Sequence, residues 1–220
     1  SWIEGSHLLL AVGRRANVGN LGLETAGIAY SPQGVTVDAR LRSTNRRVYA
    51  AGDAAGGPQF THIASHHAGI ILRNALFRMP AKVDLRALPW VTFTDPEIAQ
   101  VGLAERAARE RHGAIRILRW PVADNDRAQT ERTIEGLAKV ITDSRGRILS
   151  AAIVGPHAGE LIQMWGLAIT GRMRIGTIAS MIAPYPTLGE INKHVAGSYF
   201  TPKLFSERTR RLVRFLLRFG

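Results

Sequence analysis

At 220 residues, with 45% apolar and 21% charged side chains, the chain has the composition of one large or two small globular domains, which excludes a disordered or fibrous protein. The longest apolar stretches, 7–12 and 148–154, are too short to cross a bilayer, and the start lacks a basic segment followed by an apolar one. There is no cysteine, so the chain holds no disulfide, thiolate nucleophile or thiolate metal site, a composition that fits the cytoplasm. The formal charge is +12, and residues 203–220 supply +5 of it through six basic side chains against Glu207. The rest is spread along the chain with no recognised nucleic-acid motif, so nucleic-acid binding is not expected.

In chain order, the run His7-Leu8-Leu9-Leu10-Ala11-Val12 reads as a buried strand with its partners upstream, so the chain is expected to begin inside a domain. Further strands are predicted at 34–38 and 47–51, the second ending at Gly52-Asp53. Helical spacing runs from His62 to Met79, where Pro80 stops it. This is a strand–loop–helix order of the α/β kind.

The character changes near 80–88. A strand at 90–93, a turn at 94–97 and a short helix at 103–112 precede strands near 115–121, 136–142 and 148–154. The last two flank Asp143-Ser144-Arg145-Gly146, a hairpin turn. Helices follow at about 159–171 and 174–181. Consecutive strands giving way to helices predict an α+β domain, an antiparallel sheet with helices on one face. The expected division is 1–80, 81–202 and a tail over 203–220.

Asp53 follows a glycine at the carboxyl end of a predicted strand and leads toward a helix, where open α/β sheets bind ligands. A carboxylate there can accept hydrogen bonds from sugar or polyol hydroxyls, while glycine lets the backbone approach a phosphate. The same pattern suits a plain helix N-cap. His62 and His66 share a helical face at a spacing able to bind zinc, but no third ligand lies nearby in sequence and no metal site is expected.

Val12-Gly13-Arg14-Arg15-Ala16-Asn17, Leu21-Gly22-Leu23, Gly27-Ile28, Gly34–Asp38 and Val48-Tyr49-Ala50-Ala51-Gly52-Asp53 occur in that order and spacing. They resemble the passage from nicotinamide domain to flavin domain in the glutathione reductase, dihydrolipoamide dehydrogenase and mercuric reductase family. Thr94–Leu103, Gly136–Ile141, Ile148–Gly155 and Ala158–Ile162 resemble that family's dimerisation domain, so the likeness covers about residues 7–200. It implies an incomplete α/β FAD/NAD(P)-binding segment followed by the α+β dimerisation domain of a homodimeric, FAD-dependent NAD(P)H oxidoreductase. Asp53 is then the residue that bonds the ribityl or phosphate part of FAD, with Gly52 and Ala54 beside it. The segment Thr61-His62-Ile63-Ala64 would pass the flavin ring, where a helix amino terminus stabilises a reduced, anionic flavin. By itself the chain, without the family's fingerprint glycines and cysteine pair, is expected to dimerise, to retain no FAD and to be inactive.

The likeness breaks at one place. Disulfide-reducing relatives carry His-Pro-Thr and a following Glu as an acid/base dyad contributed across the dimer. Here the stretch is Tyr185-Pro186-Thr187-Leu188-Gly189-Glu190. Glu190 is kept, but Tyr185 replaces the His, and a phenol of pKa about 10 does not shuttle protons as an imidazole of about 6.5 does. Tyrosine here resembles the mercuric reductase branch, although the cysteine pair near that branch's carboxy terminus has no counterpart. Tyr185 reads equally as a packed aromatic.

The tail places Arg211, Arg214 and Arg218 on one helical stripe and Leu212, Phe215, Leu216 and Phe219 on another. Such a helix suits an anionic membrane surface. The reading preferred from sequence is a terminal helix packed on its own domain or on a partner subunit.

Overall fold

A computed structural model of the chain describes residues 2–219. The backbone divides into two units, 1–84 and 85–220.

In the first unit, strands β1 (Tyr30–Ser31) and β2 (Gly34–Val35) pair antiparallel around Pro32-Gln33. A 3-10 turn spans Gly52–Ala55 and helix α1 spans Thr61–Ala75. Two small apolar clusters hold these pieces. One joins Ala16, Val18, Leu23, Ile28 and Val35; the other joins Leu41, Ile70 and Ala81. Helix α1 stops before Met79 because Asn74 turns the chain back. Its Nδ2 donates to the Ala81 carbonyl at 2.8 Å and its Oδ1 accepts from the Ala81 amide at 3.2 Å.

Three expectations fail in this unit. Residues 8–12 form no strand, and Leu8, Leu9, Leu10 and Val12 are exposed. The predicted strand at 34–38 shrinks to two residues, and that at 47–51 to a single bridge between Arg42 and Tyr49. The pairings of the last two are local and antiparallel. A parallel strand takes its ladder from segments distant in sequence, and no described segment pairs with 8–12.

The second unit is built on β3 (Pro89–Thr92), β4 (Glu97–Gly102), β5 (Ile115–Pro121), β6 (Leu137–Asp143) and β7 (Ile148–Gly155). They form one antiparallel sheet in the order β3-β4-β7-β6-β5. The β6–β7 hairpin turns where the sequence predicts. Asp143 Oδ1 accepts from the amides of Arg145 at 2.9 Å and Arg147 at 2.8 Å, and Gly146 takes the positive φ (78°) that closes the turn.

Helix α2 (Glu105–His112) follows β4, and α3 (Asp126–Glu131) follows a 3-10 turn over Val122–Asp124. Then come α4 (Ala158–Leu161), α5 (Gln163–Thr170), α6 (Ile175–Ser180) and α7 (Glu190–Gly197). Because strand residues alternate between faces, Ala138 and Val140 of β6 with Ala151 and Ile153 of β7 point to the side covered by α4–α7. That side is the main core, centred on the fully buried Trp165. The short α2 lies on the other face, through Ala108 against Ile141 and Leu149 and through a Lys139–Glu105 ion pair at 2.7 Å.

The single helix expected over 159–171 is broken at Ile162. The Leu161 carbonyl is taken by Asn192 Nδ2 at 3.1 Å, and the Trp165 amide bonds instead to the Ile162 carbonyl at 3.0 Å. A side chain inserted into the helical ladder ends one helix and starts another.

The tail forms α8 (Thr201–Leu204) and α9 (Glu207–Leu216). No residue of α9 is buried, which corrects one half of the expectation, packing on its own domain, and leaves packing on a partner subunit untouched.

Candidate functional site

The site residues read from the sequence fall into two groups, one in each unit. In the first, the chain enters the 3-10 turn at Gly52 with φ of +58°. A Cβ on Gly52 would lie 2.9 Å from the Ala64 Cβ. Glycine is therefore needed twice over, for its backbone conformation and for the close approach of the turn to the first turns of α1. The same approach brings the Gly52 amide to His67, donating to Nδ1 at 3.1 Å. That bond fixes the tautomer, with the proton on Nε2 of the neutral ring. Burial, with the neighbouring His66, holds His67 below the usual histidine pKa.

Asp53 is half-buried in the first turn of the 3-10 segment. It caps nothing: the N-cap of that turn is Ala51 and that of α1 is Phe60, neither with a side-chain cap. Among the described residues no hydrogen bond or ion pair reaches the Asp53 carboxylate. The N-cap reading therefore falls. Ala54 stands beside it, half-buried. Of the helix segment, Ile63 is buried and Ala64 half-buried, whereas Thr61 and His62 are exposed at the positive end of α1, His62 stacked on Phe60 with centroids 5.2 Å apart. His62 and His66 do not converge with a third ligand; among the described residues no group of three or more metal-ligating side chains forms.

In the second unit, α3 organises the loop that carries Tyr185. Asn125 is buried; its Oδ1 accepts from the Ala128 amide at 3.0 Å as the N-cap of α3, and its Nδ2 donates to the Thr187 carbonyl at 3.1 Å. Next to it, Asp126 Oδ2 accepts from the Tyr185 hydroxyl at 2.9 Å. Tyr185 is 70% exposed and does not pack within this chain. The hydrogen bond and charge of Asp126, and the charge of Glu190, raise the phenol above its ordinary pKa. Both carboxylates thus keep Tyr185 protonated, as a hydrogen-bond donor rather than a proton shuttle.

Glu190 does not bond to Tyr185. It opens α7, and its Oε2 accepts from the Thr187 amide at 3.3 Å. Helix α7 is anchored behind it by Asn192, whose Oδ1 accepts from the Trp165 indole at 2.7 Å in the buried core. His67, Asn125 and Asp126 were not picked out from the sequence. An Asn followed by an acidic first helical residue is an N-cap signal that could have located α3; nothing local marks the partner of His67.

Residues 88–196 match the model of the pyridine nucleotide-disulphide oxidoreductase dimerisation domain, and residues 1–68 match the pyridine nucleotide-disulphide oxidoreductase model. The chain belongs to the pyridine nucleotide-disulphide oxidoreductases. It is 36% identical to mercuric reductase of Bacillus cereus over 86% of its own length and 30% of that protein's. It is 37% identical to a dihydrolipoyl dehydrogenase of Bacillus subtilis (strain 168) over 88% of its own length and 42% of that protein's. Among solved structures, LpdA of Mycobacterium tuberculosis superposes with a TM-score of 0.84 at 31% identity, covering 90% of this chain and 43% of that one. The chain thus spans less than half the length of these relatives. The family is one of pyridine nucleotide-disulphide oxidoreductases, and the relatives named are a reductase and a dehydrogenase.

Proposed function

We propose that this chain carries the distal part of the flavin site and the dimer-forming domain of a cytoplasmic, FAD-dependent NAD(P)H oxidoreductase. The observation that carries the reading is the half-buried Asp53 carboxylate, without a protein partner, held by Gly52 against the start of α1. In this reading Asp53 accepts a hydrogen bond from a hydroxyl of the ribityl chain. Gly52 and Ala54 leave room for the cofactor backbone, and the amino terminus of α1 at Thr61–Ala64 faces the ring carbonyls. When bound, FAD supplies two-electron transfer from NAD(P)H to an acceptor.

At the second group, the protonated phenol of Tyr185 favours an acceptor whose reduction needs no proton relay at that position, and Glu190 orients the loop rather than a histidine. Homodimerisation agrees with the family, and with exposed apolar side chains such as Phe93 after β3 and Ile182 before Tyr185, which a partner surface can cover.

The test is FAD retention by the full-length protein: Asp53→Ala is expected to weaken it by roughly tenfold or more, the loss of a hydrogen bond to a charged group. Unchanged flavin content and affinity would remove Asp53 from the site. A second reading, in which this stretch acts only as a self-association module, draws on the closed core of residues 85–220 beside the unfinished sheet of 1–84. Light scattering of the full-length protein with its visible absorption spectrum separates the two. A dimer without flavin absorbance favours the module; a flavin-bearing dimer favours a working cofactor site.

A further inference from the structure

We infer that helix α9 is a surface anchor for an anionic lipid bilayer. The helix is built to form from its own sequence. Ser206 caps it, accepting from the Thr209 amide at 3.3 Å, and Glu207 and Arg214 sit at the ends that suit the helix dipole. Yet at ten residues, with none buried, it is shorter than helices that are stable alone in water. It lacks a surface to lie on.

The two faces say what that surface is. Leu212, Val213, Phe215, Leu216 and Phe219 are each about half or more exposed, and they gather on one side at helical spacing. Arg210, Arg211, Arg214 and Arg218 gather on the other. Of these only Arg210 has an ion pair among the described residues, with Glu207 at 3.2 Å. Nucleic acid would use the arginines and leave the Leu/Phe stripe in water. A second copy of the chain brings the same basic stripe and the same net charge of +12. A bilayer with anionic headgroups satisfies both faces at once, the apolar stripe entering the acyl boundary and the guanidinium groups meeting phosphates. At about 1.5 Å per residue the helix is roughly 15 Å long, half of what spanning requires. No helix among the described residues is long and apolar enough to cross a membrane, so α9 lies in the plane of the surface.

The experiment is co-sedimentation of the 220-residue chain with vesicles of phosphatidylcholine alone and of phosphatidylcholine mixed with phosphatidylglycerol. The chain is expected to bind the mixed vesicles, to bind neutral ones at least tenfold more weakly, and to be released by salt, to the order of magnitude set by a few surface arginines. The triple variant Arg211→Gln, Arg214→Gln, Arg218→Gln should weaken binding about a hundredfold, and Leu216→Asp with Phe219→Asp should abolish it. Since α9 buries nothing, these variants should keep the parent's circular dichroism. A Leu216→Trp reporter should shift to the blue only when anionic vesicles are added. The inference is overturned by failure to bind anionic vesicles or by equal binding of neutral ones. It is equally overturned if the Leu216→Asp, Phe219→Asp protein binds as well as the parent. A reporter already blue-shifted in buffer, in a dimer that Leu216→Asp dissociates, would also overturn it and give the apolar face to a protein partner.

Discussion

The two units of this chain come from one family pattern and differ in how completely they fold. Among the described residues, 85–219 close a five-stranded antiparallel sheet under helices around Trp165, whereas 2–84 make a hairpin of two-residue strands, short turns and one long helix. The difference lies in where strand partners sit along the sequence. An antiparallel hairpin such as β6–β7 finds its partner across a few residues, but a parallel strand depends on distant segments. The run at 8–12 has a strand's composition and none of its ladder.

Hydrogen exchange should show this contrast most plainly. Amides paired in β4, β6 and β7 should exchange at least roughly a thousandfold more slowly than those of residues 8–12 after correction for intrinsic rates, the minimum set by a marginally stable core. Comparable protection in both would mean that 8–12 is paired in solution. Next in size, Trp165→Ala should destabilise the second unit by about 3–5 kcal/mol, from a cavity in the main core, read as a lower urea midpoint. Little change in exchange within residues 1–84 is expected.

In the first unit the corresponding weak point is backbone. Gly52→Ala places a Cβ against Ala64 at positive φ and should cost about 1–3 kcal/mol, with faster exchange confined to the 3-10 turn and α1. If the loss spreads through residues 85–220, the two units do not unfold independently. The smallest effect is the pH response of His67. Its pKa is lowered by burial, so the unfolded chain takes up the proton first as pH falls. Stability of the first unit should therefore be full above the ordinary histidine pKa of about 6.5 and decline below it, through the lowered native value, with a slope of at most about 1.4 kcal/mol per pH unit. His67→Gln, with an acceptor kept for the Gly52 amide, should flatten that slope in urea unfolding compared on either side of the window.

What could be read from the sequence follows the same division. The strands near 115–121, 136–142 and 148–154, the turn at 143–146 and the helix from His62 were readable because their signals are local: alternation, an Asp–Gly turn, helical spacing. The break at Ile162 was not, because it is made by Asn192, thirty-one residues from the carbonyl it captures. At the candidate site, the family pattern singles out Gly52-Asp53, but that Asp53 caps no helix is not legible there. The partnership of Tyr185 with Asp126 spans fifty-nine residues and depends on how α3 meets the loop before α7. Helix α9 was readable as amphipathic; that neither of its faces is buried was not.

The sheet order leaves β3 and β5 at the two edges. A free edge invites a stranger's backbone to extend the ladder, the route by which folded domains turn into fibrils. Here β3 is four residues long and begins with Pro89, while β5 ends with Pro121 and carries Arg116 and Arg119. Proline offers no amide to a visiting strand, and like charges stacked along an edge repel a copy of it. Association between copies is thereby steered away from backbone templating and toward side-chain surfaces, which bury a finite patch and then stop, so the assembly can remain a countable one.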